Sequence, residues 1–143
     1  MDRNTYLTSA HQRQRIATPG QLTDSAVKSS VDGLGLSTGA RSGLTGFVAG
    51  LARSTVGRGV TIDNILPGTF DTQRLAGNFA AQARREGKDV EAVRAARLAK
   101  HPAHRFGQPE GFGAACALLC SAHAGYIDGQ NLLMDGGSFP RTM

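Results

Sequence analysis

Residues 33–72 read GLGLSTGARSGLTGFVAGLARSTVGRGVTIDNILPGTFDT. Leu36, Ala40, Leu44, Phe47, Val48 and Leu51 recur at helical spacing, which predicts one long helix with an apolar stripe. Ala40, Gly43, Gly46 and Gly50 add small residues along it. A glycine inside a helix costs about 0.5–1 kcal/mol relative to alanine, a cost that close packing offsets. The helix is therefore expected to lie tightly against both a sheet and a neighbouring helix, and to end near Gly57 or Gly59, where a left-handed cap is easy. Residues 60–66, VTIDNIL, are β-branched and apolar between Gly59 and Pro67-Gly68, so they read as an inner strand. Asp63 and Asn64 are its polar members, expected to face a crevice at the strand's carboxyl end. Residues 67–72 then form the loop in which an open parallel sheet binds its ligands, with Asp71 or Thr72 placed to cap the next helix.

Beyond this stretch the pattern continues. A helix carrying Leu75 and Phe79 is broken at Gly87, and residues 90–100 make another. That pair sits where such folds elaborate a substrate lid. Gln108-Pro109-Glu110 starts a further helix, with proline in its first turn and an acid near the positive end of the dipole. Its stripe is Phe112, Ala115, Cys116 and Leu119. Residues 125–129 are a turn, and 130–134, QNLLM, are a last short strand. Strand, helix, strand, helices, strand implies parallel strands joined by right-handed crossovers. Upstream, residues 1–19 show no periodicity and are expected to be a loose arm. Pro19-Gly20 marks a turn, and Gln21, Leu22 and Thr23 suggest a short strand.

Composition narrows the function classes. The chain has 143 residues, 40% of them apolar, which suits one domain with a core. No apolar run approaches the roughly 20 residues that span a bilayer, and the polar start lacks a signal-peptide core, so no membrane partner and a cytoplasmic setting are expected. The formal charge is +5, but the basic residues at 84–100 interleave with Glu86, Asp89 and Glu91. That is a solvated helical face and not a nucleic-acid stripe. Cys116 and Cys120 lie in an apolar helical stretch and read as two small buried hydrophobes. His101 and His104, separated by Pro102, read as structural. No metal site is expected.

Three segments carry a family likeness: GARSGLTGFVAGLAR, GVTIDNILPGTFDT and RFGQPEGFGAACALLCSAHAGYIDGQNLLMDGG. In this order they resemble the carboxyl-terminal half of the short-chain dehydrogenase/reductase (SDR) family, with a 3-oxoacyl-acyl-carrier-protein reductase-like flavour. The resemblance covers about residues 22–137 and makes residues 20–143 the carboxyl-terminal half of an SDR-type Rossmann domain. It implies an α/β, partial Rossmann-like doubly wound fold of about three parallel strands with flanking helices, the nucleotide-binding half missing. It further implies an oxidoreductase that moves a hydride between NAD(P) and a small-molecule carbonyl or alcohol. By the same likeness Pro67 and Gly68 shape the nicotinamide loop, while the Phe70 backbone and the Thr72 hydroxyl meet the carboxamide.

Three parts of the family pattern are missing from these residues. One is the catalytic Ser at the end of the preceding strand: Ser25 is the nearest serine, Asp24 competes for the slot, and the spacing to Leu34 is too short. No strand opens onto a Gly-rich phosphate loop. The family also has Tyr and Lys four residues apart at the start of the long helix. Counting back from Gly43-Leu44 puts Leu34 and Thr38 there, and neither can donate a proton or supply a charge. Arg41, one turn on, is expected to be a helix-surface residue, and no catalytic residue is assigned. The expectation is a truncated, inactive oxidoreductase. The alternatives are a non-catalytic oligomerisation module, as a homo-oligomer or with a related SDR subunit, and an enzyme completed by another chain.

Overall fold

The computed structural model describes residues 15–19 and 35–140. Three strands form one parallel sheet in the order β1 (Arg15–Pro19), β2 (Thr61–Pro67), β3 (Asn131–Met134). Arg15 pairs with Thr61 at one end of the sheet, and Pro67 pairs with Met134 at the other. Among the described residues, four α-helices connect and cover the strands: α1 (Gly35–Thr55), α2 (Gln73–Glu86), α3 (Val90–Leu98) and α4 (Pro109–Cys120). Residues 15–19, expected in a loose arm, are thus a strand, the outer one among the described residues, because β2 offers them a backbone ladder in parallel register. The expected strand at Gln21 to Thr23 lies outside the described residues.

β2 is buried on both faces, as its continuous apolar run predicts. Ile62 and Ile65 stand three residues apart and so point to opposite sides of the sheet. Ile62 packs on Val48 and Ala52 of α1. Ile65 packs on Leu119 of α4 and on Ala124, with Phe112, Ala115 and Cys116 alongside. Helices therefore cover both faces of a parallel sheet, the doubly wound arrangement. Under the helical pair α2 and α3 lies a separate cluster of Phe79, Ala83, Val93 and Phe106.

Local chemistry fixes the helix ends. α1 runs into a 3-10 turn, Val56–Arg58, closed by Gly59 at φ 78°. The Thr72 hydroxyl caps α2 by accepting the Leu75 N–H at 3.3 Å, and Gly87 at φ 61° ends that helix. Asp89 caps α3 by accepting from Glu91 and Ala92. Pro109 opens α4 with Glu110 in its first turn. The Gly59 and Gly87 breaks, the Thr72 cap and the proline start of α4 are those expected from the sequence; the Asp89 cap is a further one that the structure adds.

The buried face of α1 is not the expected stripe. Val48, Ala52 and Thr55 turn inward, whereas Leu44, Phe47 and Leu51 are 46%, 65% and 38% exposed. One residue is a 100° rotation, so the helix carries two neighbouring stripes and only the one containing Ala52 meets the sheet. Gly39, Gly43, Gly46 and Gly50 point further round, and a Cβ added at any of them meets nothing within 4 Å among the described residues. No described helix passes there, contrary to the close helix packing read from those glycines. Cys120 is exposed and Cys116 half-buried, so only Cys116 approaches the expected buried role.

Asp63 and Asn64 do not face a crevice: both are buried. Asp63 accepts the Gln130 N–H at 2.8 Å, Asn64 Nδ2 donates to Asn131 Oδ1 at 2.9 Å, and Asp128 Oδ1 accepts the Ile62 N–H at 2.9 Å. The polar pair in β2 therefore ties the turn at 128–131 into the sheet. Burial pushes the Asp63 carboxyl above its ordinary value, against the Gln130 hydrogen bond and helped by the Asp128 charge. A folded-state pKa raised this way means that the fold holds the proton more tightly than the unfolded chain does. The associated stability is present at low pH and is lost as pH rises through the folded value. Asp63→Asn keeps an acceptor for Gln130 without the charge, and is expected to melt higher than the parent at pH 7. That gain should vanish as the pH falls through the Asp63 titration. A variant that melts lower at every pH would mean that the charged hydrogen bond outweighs desolvation.

Candidate functional site

The carboxyl end of β2 is held open by its neighbours. The Gly68 N–H donates to the Met134 carbonyl at 3.0 Å, and a Cβ at Gly68 would lie 2.7 Å from Asp135 Cα. Glycine is required there because two chain segments touch at backbone distance. One step on, Phe70 bridges Gly107 in parallel: the Asp71 N–H donates to the Gly107 carbonyl at 2.8 Å, and the Gly107 N–H donates to Thr69 at 3.0 Å. The Phe70 ring lies over Gly107, whose added Cβ would come within 2.7 Å of it, and meets Phe112 edge-on at 5.8 Å. Outside the loop, Arg94 of α3 donates to Asp71 at 3.0 Å, and its guanidinium stacks over Phe106.

These contacts shape a cavity of about 560 Å3. Pro67, Gly68, Phe70 and Thr72, the four residues singled out in the sequence, all line it. So do Thr69, Leu75, Asn78, Pro109 and Phe112, together with two cations, Arg41 and Arg74. Arg41 is half-buried and belongs to the cavity wall, not to the helix surface where it was expected. The reason is the register of α1: Arg41, Thr45, Val48 and Ala52 follow at steps of four, three and four, so the face that meets β2 also carries Arg41 into the cavity. That spacing was in the sequence but was hidden beside the bulkier Leu44–Phe47–Leu51 stripe.

The loop offers free hydrogen-bonding capacity. Among the described residues the Phe70 N–H meets no acceptor. The Thr72 oxygen takes the Leu75 N–H and keeps its own O–H to give. His101 is buried, 2.8 Å from the Ser138 hydroxyl and edge-on to Phe106, so it fastens the segment after β3. Among the described residues no three His, Cys, Asp or Glu side chains gather to hold a metal. No described helix is long and apolar enough to cross a membrane.

The profile of the family described as Enoyl-(Acyl carrier protein) reductase matches residues 11–138. The 3-oxoacyl-[acyl-carrier-protein] reductase FabG of Vibrio cholerae is 34% identical over 100 residues, which is 70% of this chain. The chain belongs to the short-chain dehydrogenase/reductase family. Acetoacetyl-CoA reductase of Allochromatium vinosum is another relative, 34% identical over 101 residues. The aligned part is 36% of each of these two relatives' length. Among solved structures, L-sorbose reductase of Gluconobacter frateurii, complexed with NADPH and L-sorbose, superposes with a TM-score of 0.81 at 21% identity. The superposition covers 96% of this chain and 51% of that one. Actinorhodin polyketide ketoreductase with NADPH gives 0.78, again over about half of its chain. The SDR fold expected from the sequence is therefore present over roughly half of the full architecture, and the SDR family is one of NAD(P)-dependent oxidoreductases.

Proposed function

We propose that this chain carries the nicotinamide-side half of an SDR site for hydride transfer to or from a small carbonyl or alcohol compound, and that by itself it does not turn over. The observation that carries this is the convergence of Pro67, Gly68, Phe70 and Thr72 on one cavity at the carboxyl end of a parallel strand. A carboxamide fits the loop: the Phe70 N–H can donate to its oxygen, and the Thr72 O–H is a second donor. When bound, NAD(P)H supplies the hydride; the chain's own residues orient the ring and, through Pro67, Phe70 and Phe112, keep water from one side of it. A whole dinucleotide fits less well. Residues 15–19 and 35–140 contain no strand that opens through a Gly-rich loop onto a helix, so they offer the pyrophosphate no amide cradle.

The acid/base pair also departs from the family pattern. With Arg41 in the cavity, Arg41 is the cation that stands nearest to the role of the family lysine. The family's four-residue spacing then falls on Ser37, not Leu34. A serine hydroxyl is far too weak an acid to replace a phenol at neutral pH. Titration with NADH and NADPH, followed by nicotinamide fluorescence, is expected to show no micromolar binding to the chain alone. Micromolar affinity, or carbonyl reduction without a second protein, would overturn the inactive reading. Activity that appears only on mixing with a full-length SDR subunit would favour completion by another chain.

The exposed stripe on α1 supports a second role. Leu44, Phe47 and Leu51 form an apolar ridge flanked by open glycines, a surface suited to close approach of another helix in a homo-oligomer or with a related SDR subunit. Phe47→Glu is expected to shift the protein towards the monomer in light scattering while leaving its circular dichroism unchanged. A parent protein that is monomeric at high concentration would remove this role.

A further inference from the structure

We infer that Arg94 is a positioning residue for the loop at 69–72: from α3 it clasps both sides of the short bridge that sets the Phe70 N–H and the Thr72 O–H. The inference rests on the nicotinamide reading only for what those two donors meet. The bridge between Phe70 and Gly107 stands outside the three-stranded sheet. It has two hydrogen bonds, from the Asp71 N–H to the Gly107 carbonyl at 2.8 Å and from the Gly107 N–H to the Thr69 carbonyl at 3.0 Å. Two bonds with no continuing ladder hold a pair of segments weakly. Arg94 touches both segments. Its Nη2 donates to Asp71 Oδ2 at 3.0 Å, and its guanidinium lies 5.5 Å from the centre of the Phe106 ring. Asp71 stands on one side of the bridge, and Phe106 directly precedes Gly107 on the other. Asp71 is also the residue between the two donors. Its carboxylate is left to Arg94 because Thr72, not Asp71, caps α2. The clasp projects from a held helix: Val93, its neighbour on α3, is buried with Phe79, Ala83 and Phe106.

The side chains of Arg94 and Asp71 are 37% and 39% exposed, so charge attraction by itself adds little. Shape adds the rest. A planar guanidinium bonds a carboxylate with its edge while its face covers an aromatic ring, which a lysine ammonium does not do. A contact of this size does not govern the stability of the whole fold. It governs how often the bridge opens. An open bridge lets Phe70 leave Gly107 and parts the two donors, which a carboxamide must meet together.

The test is amide hydrogen exchange by NMR on the isotope-labelled full chain, with nicotinamide at millimolar concentration as the ligand probe. In Arg94→Gln the Asp71 and Gly107 amides are expected to exchange about fivefold faster, the opening allowed by loss of an exposed ion pair and a cation–ring contact. The Gly68 amide, bonded to Met134 and not to this bridge, should exchange at the parent rate. Arg94→Lys should recover part of the protection, and Asp71→Ala should lose part of it. Nicotinamide is expected to move the Phe70 and Thr72 amides of the parent. It should bind Arg94→Gln about twofold to fivefold more weakly, since only the closed bridge presents both donors. Parent rates at Asp71 and Gly107 in Arg94→Gln would overturn the clasp. Faster exchange at Gly68 and throughout the chain would assign Arg94 to general stability and overturn it too. Faster exchange at the bridge with unchanged nicotinamide affinity would leave a merely structural contact and overturn the positioning role. No response of the parent to nicotinamide removes the nicotinamide reading, and the clasp then stands or falls on the exchange rates alone.

Discussion

Ile65→Ala is expected to destabilise the protein by about 2–5 kcal/mol, the range for removing a buried aliphatic side chain that leaves a cavity. Ile65 is completely buried, packed between Leu119 and Ala124 with Met134 and Ile127 at the margin. It is the central residue of the face that α4 covers, so its loss also loosens the helix that places Phe112 behind Phe70. The measurement is a urea unfolding curve, where the midpoint should fall with little change in slope. Ile65→Val should cost only about 0.5–1.5 kcal/mol. An alanine variant as stable as the valine one would mean that the α4 face of the sheet is not a packed core.

Gly68→Ala is expected to cost about 1–3 kcal/mol, as an overpacked site does. The added carbon would stand 2.7 Å from both Cα and Cβ of Asp135 and 3.4 Å from the Met134 carbonyl. Two of these atoms are backbone, so no side-chain rotation relieves the contact. The loop and the end of β3 must separate, which stretches the hydrogen bond from the Gly68 N–H to Met134. Thermal melting should show the loss. Amide exchange at residues 68–72 should quicken more than exchange in α3. Wild-type melting and exchange in the alanine variant would show that the two segments are not in contact.

Much of this was legible before any coordinates. α1, β2 and the Pro67-Gly68 loop follow from local signals: a helical run, a β-branched run, and a proline and glycine that stop the strand. Gly59 and Gly87 mark ends because their positive φ values are a property of the residue itself. The four loop residues named from the family likeness do share one cavity. What escaped was relational. β1 is five residues without a pattern of its own, and it is a strand because Thr61 to Ile65 lie beside it. Asp63 looks like a crevice residue until the Gln130 amide is found against it.

The order of elements, the breaks between them and the membership of an oxidoreductase family were set by the chain itself, since they depend on neighbours three or four residues away and on motifs read in line. Tertiary structure decided which of two adjacent stripes of α1 turns inward. Small Ala52 lets the helix settle against Ile62, and the larger Phe47 is left outside. That single rotation carries Arg41 into the cavity and leaves an apolar ridge facing out. Helical periodicity fixes the angle between stripes but not which one meets the sheet; only the shape of the surface opposite makes that choice.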